Sequence, residues 1–429
     1  MHASMHLVII NQYYPPDVAP TGMMLESVVD QLIEMGHEVS VVCSASEGYS
    51  GNIKNLGNSD AVASQLNNVD LGRLDLIRVN STSFGRRAFV GKLVDYLTFY
   101  IGVAWKVVNM KRRPDRVIAL TTPPFLSVIA RAVSKLRGGD HGHWVMDLYP
   151  DVMAAHGLLS PNSVSYRILK AIACWGFGGD RCSCVLTLGP DMASRVQPYL
   201  PERVPVKWVP LWNSGLGHSP SNDEIMSLRE SRGWESNEHV VMYSGNMGLG
   251  HSFDEILQVA TSDCVQLDSN SPPRDYSSSV VRFAFFGDGK RRGEIAQRIE
   301  KNPDCLVELY PYVNSELLDT HLATADVHVV SLRPDWDGTM LPSKLQGIFA
   351  AGRPVILIGS EESSIGRWVL ESGGGWVVPP GDVQALAIAV EQSRIPAENE
   401  QRGKFAREFS EKRFNRAENS HCCAAVLSS

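Results

Sequence analysis

In LPSKLQGIFAAGRPVIL, residues 341–357, a serine and a lysine, Ser343 and Lys344, open a helix directly behind Leu341 and Pro342. The apolar run VHVVSL, residues 327–332, is expected to be the strand before it and to bring the chain to the carboxyl edge of a sheet, where open α/β folds bind ligands. A hydroxyl, an ammonium and the unpaired N–H groups of a helix start form a site for a phosphate or diphosphate. The same spacing also fits an N-cap serine followed by an exposed lysine.

Other turns offer similar chemistry. YSGNMGLGHSFDEI places Gly245, Asn246 and Gly248 between a strand and a helix, where a glycine loop can cradle a phosphate or merely make the turn. In Gly287-Asp288-Gly289 the aspartate reads as a helix N-cap more readily than as a ligand. Asp335 and Asp337 have the spacing of a metal-binding pair, but neighbouring His and Asp residues show no ligand spacing, and no tight metal is expected. Near the amino terminus, NQYYPPDVAPTG ends in Thr21-Gly22 at a helix start, with glycine allowing close approach of a ligand to the backbone. DLYPD exposes Asp147 and Asp151 around a proline turn. His143 and His156 flank it and read as structural residues more readily than as bases.

These turns need strands and helices to hold them. Short apolar runs begin at His6, Glu38, Val117, His143, Cys184 and Val206, then at His239, Arg282, Val307, Val327, Pro354 and Gly375, with helical patterns between them. Continuous apolar strands alternating with helices predict parallel sheets covered on both faces. Two such series in 429 residues predict two doubly wound, Rossmann-like domains. The first is expected over 1–212 and the second over 213–397, joined near the aperiodic NSGLGHSPSN; 398–429 forms a charged helical tail that can return to the first domain. Residues 268–279 read as a polar surface loop.

With 44% apolar and 20% charged residues the chain reads as soluble and globular. Its eight cysteines include no CxxC pair, and no secretory signal precedes the first strand, so a cytoplasmic location with reduced thiols is expected. A net charge of -7 gives no reason to expect a nucleic-acid partner. That charge is uneven: residues 1–200 carry 18 basic and 16 acidic groups, against 22 and 31 in the remainder. Between Arg78 and Arg137 there are 12 basic and 2 acidic residues around an apolar stretch, 93–110, that Asp95 and Lys106 interrupt. It is a poor bilayer span and reads as a buried helix with basic flanks, the alternative being contact with an anionic membrane surface.

Taken in order, RPDRVIALTTPP, DLYPD, YSGNMGLGHSFDEI, FFGDG and LPSKLQGIFAAGRPVIL resemble glycosyltransferase family 4, particularly its bacterial surface-polysaccharide branch, the colanic acid and O-antigen type enzymes. The resemblance covers most of the chain. It implies an α/β GT-B fold, two Rossmann-like domains facing across a cleft, with acceptor binding first and nucleotide-sugar binding second. The implied reaction is retaining transfer of a hexosyl or acetamidohexosyl group from a nucleotide-diphosphate sugar, expected as a UDP-sugar, with no cofactor or catalytic metal.

By the same resemblance Gly245, Asn246, Gly248, Ser343 and Lys344 hold the donor diphosphate, and Thr21 and Gly22 approach it from the first domain. Gly287, Tyr312, Leu341 and Pro342 join the donor set. Asp147 and Asp151 line the acceptor side, the acceptor being a saccharide or a polyisoprenyl-diphosphate-linked sugar. Asp337, five residues before Pro342, matches the first of two acids usual in the family. The second, the ribose ligand, falls on Gly347 beside Gln346. A basic residue usual in the glycine loop is also missing, with His251 nearby, which leaves Lys344 as the principal cation. Rival readings are a sugar-nucleotide epimerase of similar fold and a non-catalytic nucleotide-sugar module; a nicotinamide dehydrogenase is disfavoured because GNMGLG is not GxGxxG.

Overall fold

The computed structural model describes residues 4–17, 19–45, 73–82, 84, 89–213, 217–261, 280–303 and 305–429. The polar segment 268–279 lies outside them. The chain divides into unit 1, residues 1–210, 338–340 and 416–429, and unit 2, residues 211–337 and 341–415.

Unit 1 holds seven parallel strands: β1 (His6–Ile10), β2 (Glu38–Ser44), β3 (Leu74–Val79), β4 (Arg116–Ala119), β5 (Asp140–Trp144), β6 (Cys182–Thr187) and β7 (Val206–Trp208), in the order β3-β2-β1-β4-β5-β6-β7. Chain order reverses at β1, which pairs with β2 on one side and β4 on the other. β1 is buried along its whole length, so it reads as an unbroken apolar run. β3 is not an apolar run because it lies at a sheet edge, with Asp75, Leu76 and Arg78 exposed. The closing helix, Arg416–Ser428, packs on the helix Pro20–Glu34, and Arg116 donates to the carbonyls of Leu427 and Ser429, at 2.7 Å each.

The helix Phe89–Val108 is not buried all round. Phe99, Val103 and Val107 pack with Val8, Ile10 and Val117 on the sheet, whereas Leu93, Leu97, Ile101 and Trp105 face water. Apolar residues on every side of a helix do not disclose which side finds cover.

Unit 2 repeats the plan with β8 (His239–Ser244), β9 (Val281–Phe286), β10 (Val307–Tyr310), β11 (Val327–Ser331), β12 (Val355–Ile358) and β13 (Gly375–Val378), ordered β10-β9-β8-β11-β12-β13, all parallel. Its reversal falls at β8, between β9 and β11. The turns after β8, β9 and β11 therefore emerge at one carboxyl edge, where this architecture binds ligands.

Candidate functional site

In unit 2 the loop after β8 lies against Lys344, and the turn after β9 lies against that loop. β8 ends at Ser244, and Gly245 follows with φ 140, a conformation that L side chains rarely adopt. A Cβ on Gly245 would overlap Cε of Lys344, so glycine is what lets the lysine stem lie on the loop. Gly287, after β9, has φ 134, and a Cβ there would overlap the carbonyl oxygen of Gly245. The two loops are laced by Gly245 N–H to Phe286 O at 2.9 Å and Met247 N–H to Asp288 O at 2.8 Å. Tyr243 adds a hydroxyl to Asn246 O at 2.7 Å, and Tyr312, itself exposed, donates to Asp288 O at 3.1 Å.

Lys344 begins the helix Lys344–Ala350, which Ser343 precedes without a side-chain cap bond. Leu341 and Pro342 are buried, and Ser343 is exposed. The exposed-lysine alternative is not what the structure holds. The residue keeps some surface, but its ammonium is enclosed, 3.1 Å from Nε2 of His251 and 5.2 Å from the centre of the Tyr243 ring. Desolvation lowers its pKa to about 7, and no carboxylate pairs with it among the described residues.

The ring of His251 is oriented by Ser331 O, 2.6 Å from Nδ1. A carbonyl only accepts, so Nδ1 carries the proton and Nε2 accepts from Lys344. Burial first, and the Lys344 charge second, hold the His251 pKa at about 3. His251 is thus a neutral brace and not a substitute cation. The arginine near the loop, Arg291, donates to His251 O at 2.7 Å and is paired with Asp254 and Glu294.

Asp288 does not cap the next helix: it accepts from Gly289 N–H at 2.7 Å, and Arg291 occupies the N-cap of Arg292–Glu300. Asp337 is half-buried after a short turn, and Asp335 is exposed. Among the described residues neither joins a group of three or more metal-ligating side chains. The group that does come together is His141, His143 and Cys182, with ligand atoms within 4.8 Å of one another. These lie inside unit 1, where burial lowers both histidine pKa values, that of His141 to about 4.

Gly347, where the resemblance would put the second acid, is closely surrounded. A Cβ there would stand 3.1 Å from Cδ1 of Leu322 and 3.5 Å from Oδ1 of Asn213, so little space is left for a side chain at this position. Beside it Gln346 is fully buried, and neither end of its amide has a hydrogen-bond partner among the described residues. Sequence reasoning passed over Gln346, Tyr243 and the bracing role of His251. The signal that could have found Gln346 is an amide in the middle of an otherwise apolar helix face.

In unit 1 the two aspartates of DLYPD separate. Asp151 is buried and engaged by Arg195 at 3.1 Å and by the Tyr199 hydroxyl. Asp147 has its N–H on Thr121 Oγ1 at 3.0 Å, while its carboxylate accepts no bond from a described residue. Desolvation raises that carboxyl to about 6. It lines a cavity of about 10 Å³ with Thr121, His143 and Tyr149, close to the volume a single water needs. Thr21 and Gly22 sit in the first turn of Pro20–Glu34; a Cβ on Gly22 would stand 3.2 Å from the carbonyl of Tyr13, so this glycine serves close backbone packing.

Two doubly wound parallel α/β sheets are the architecture of the solved GT-B glycosyltransferases. Residues 266–393 match the family model described as Glycosyl transferases group 1. Probable glycosyltransferase WbjE of Pseudomonas aeruginosa is 23% identical over 287 residues, 67% of this chain and 68% of that one. The putative colanic acid biosynthesis glycosyl transferase WcaI of Escherichia coli K12 is 20% identical over 416 residues, covering 96% and 97%. Among solved structures, WaaG, a glycosyltransferase involved in lipopolysaccharide biosynthesis, matches with TM-score 0.64 and 15% identity over 99% of each chain. Anabaena HepE in complex with UDP-glucose matches with TM-score 0.65 and 14% identity, again over 99% of each. At such identities the structural likeness shows the fold.

Proposed function

We propose that this protein is a retaining glycosyltransferase that moves a hexosyl or acetamidohexosyl group from a UDP-sugar to a saccharide or a polyisoprenyl-diphosphate-linked acceptor in surface-polysaccharide assembly. The observation that carries the reading is Lys344: a desolvated ammonium that no carboxylate pairs with among the described residues, resting on Gly245 among glycine loops. An enclosed cation of this kind is suited to a dianion that arrives with its own charge. HepE is solved with UDP and with UDP-glucose, and WcaI is named for colanic acid biosynthesis; both fit such a donor and pathway class.

Chemically, the bond from the anomeric carbon to the distal phosphate oxygen breaks while the acceptor oxygen bonds to the same carbon on the same face. The departing phosphate gains negative charge, which Lys344 stabilises where water is excluded. The acceptor proton passes to the leaving phosphate oxygen, so no protein base is required. Asp337 is assigned to the donor sugar, and the Gln346 amide to the ribose side that Gly347 leaves without an acid. Asp147, with its carboxylate unengaged, is assigned to the acceptor; Asp151 supports the loop through Arg195. On this proposal the protein works in the cytoplasm, and a lipid-linked acceptor brings it to the membrane surface.

The test is to incubate the protein with candidate nucleotide sugars, with and without saccharide and lipid-linked acceptors. Nucleotide release that needs acceptor, with the product's anomeric configuration equal to the donor's by NMR, supports the proposal. Conversion of the donor sugar without acceptor would identify the epimerase. Binding with no turnover of any donor would identify a non-catalytic module.

A further inference from the structure

We propose that unit 1 holds a buried zinc site, with His141 and His143 on β5 and Cys182 on β6 as its protein ligands. Their ligand atoms all lie within 4.8 Å of one another, and the three residues are 1%, 1% and 6% exposed. Around a tetrahedral zinc, nitrogen and sulfur ligands stand about 3.4–3.6 Å apart, so side-chain rotations of about 1 Å close the set.

The strands bring the three together. β5 is DHGHW, a largely polar sequence paired between β4 and β6 inside the sheet, and all of it but Asp140 is buried. Alternation places His141 and His143 on one face. Cys182 pairs with His141 and so shares that face. The register then slips, and Gly142 pairs with Cys184 instead of Ser183. In a regular strand two cysteines two positions apart would share a face. Here the irregularity turns Cys184 to the opposite one, where its thiol stands 3.8 Å from Leu427 O and 3.9 Å from Arg116, and where a Cβ on Gly142 would overlap it. One cysteine is thereby presented to the histidines and the other is not.

The ring nitrogens distinguish a ligand set from ordinary core packing. Nε2 of His141 lies 3.0 Å from Gly178 O, and a carbonyl only accepts, so that nitrogen carries the proton. Nδ1 is then a bare lone pair with no hydrogen-bond partner among the described residues. Neither ring nitrogen of His143 has a partner among them either. A buried imidazole nitrogen is costly to leave unmet. Protonation does not meet it, because desolvation keeps both histidines neutral. A histidine held by a backbone carbonyl through one nitrogen, with the other left bare, is oriented as metal ligands are.

The donor set selects the ion. Two neutral imidazoles and one thiolate suit zinc, whereas magnesium and calcium take oxygen ligands, and no carboxylate belongs to the group. As the ion binds, the Cys182 thiol gives its proton to solvent and a sulfur–zinc bond replaces the S–H bond. The cavity that His143 lines has room for one water, which can serve as the fourth ligand. The expectation of no tight metal came from the acids Asp335 and Asp337, whereas this group lies in unit 1. An ion so enclosed leaves only when β5 and β6 part, so a chelator added during a turnover assay does not empty the site.

The inference is independent of the transfer chemistry and is tested without it. The full chain is produced in defined medium supplied with zinc, and separately with cobalt in place of zinc. Elemental analysis is expected to find about one zinc per chain, and the cobalt protein to show a thiolate-to-cobalt charge-transfer band in the near ultraviolet with the strong visible bands of four-coordination. Cys182→Ser should lose that band, and both it and His143→Gln should hold about a tenth or less of the metal, while Cys184→Ser, on the opposite face, keeps metal and band alike. Circular dichroism checks that each variant is folded; if one is not, the stoichiometry and cobalt spectrum of the parent still decide. A folded parent without stoichiometric metal and without the charge-transfer band would overturn the site. A band that persists in Cys182→Ser would overturn it as well, placing the metal on another thiol such as the exposed Cys422.

Discussion

Replacing Lys344 by methionine should make the protein more stable at neutral pH while removing most of its activity. Burial lowers the ammonium from 10.5 to about 7, which at about 1.36 kcal/mol per decade is roughly 5 kcal/mol of desolvation. Between about pH 7 and 10.5 the unfolded chain binds the extra proton, so stability rises with pH across that window. Below pH 7 the cost is carried in full. Because the residue keeps some exposed surface, solvent screens part of it, and about 1–2 kcal/mol is the portion expected back in Lys344→Met. For a unit of this size that is about 2–8 °C in Tm at pH 6.5, shrinking toward pH 10. Methionine fills the space beside Gly245 but cannot meet a leaving phosphate, so kcat should fall about a hundredfold or more. UDP affinity of the parent should weaken as pH rises through 7, because only the ammonium binds the diphosphate, and the variant should lack that dependence. Calorimetric melting at pH 6.5 and 9.5, isothermal titration with UDP over the same range and a nucleotide-release assay read all three. A variant that melts below the parent at pH 6.5, or turns over at the parental rate, would refute the reasoning.

Asp337→Asn should lower kcat at least tenfold while leaving the Kd for UDP unchanged, since Asp337 is assigned to the sugar; an equal loss of UDP affinity by titration contradicts that. EDTA should leave turnover unaffected, and loss restored by a divalent ion would make Asp335 and Asp337 metal ligands. Gly245→Ala should weaken UDP binding about tenfold and cost about 1–3 kcal/mol in a denaturant melt, because φ 140 is strained for alanine and its Cβ meets Lys344. Asp147 has its carboxyl raised to about 6, so the folded state favours the protonated form and stability declines as pH rises through 6. Asp147→Asn should therefore melt higher than the parent at pH 8 and equally at pH 4, with transfer reduced; a lower melting point at pH 8 would show the carboxylate to be paired.

What the sequence disclosed and what it hid divide along physical lines. Buried strands announce themselves because both faces are apolar, which is why β8 through β13 stood out in order. β3 did not, because an edge strand keeps Asp75 and Arg78 in water. β5 was placed too far along the chain: its true residues, Asp140–Trp144, are largely polar in type yet mostly buried, while the apolar residues that follow leave the strand. The glycine loops were legible as turns with close approaches. That Gly245 yields its space to Lys344 was not, since the two lie 99 positions apart in the chain.

Asp147 and Asp151 make the same point about polar chemistry. In DLYPD they are equivalent acids around a proline, and nothing local separates them. Arg195 and Tyr199, more than forty residues away, take up Asp151 and leave Asp147 with a carboxylate that meets no donor among the described residues. Lys344 is separated from an ordinary helix-start lysine in the same way, by a tyrosine and a neutral histidine delivered from the end of another strand. Residue type and spacing nominate groups for chemistry; desolvation selects among them, and desolvation is a property of the fold. The two groups so selected, an ammonium near 7 and a carboxyl near 6, are each shifted toward neutral pH by burial, with no ionic partner among the described residues. Each is less stable in its charged form than it would be in water, and a ligand of opposite charge or a hydrogen-bond donor restores that loss on binding. On the proposed function that ligand for Lys344 is the donor diphosphate, and donor affinity and proton uptake are then coupled through one side chain.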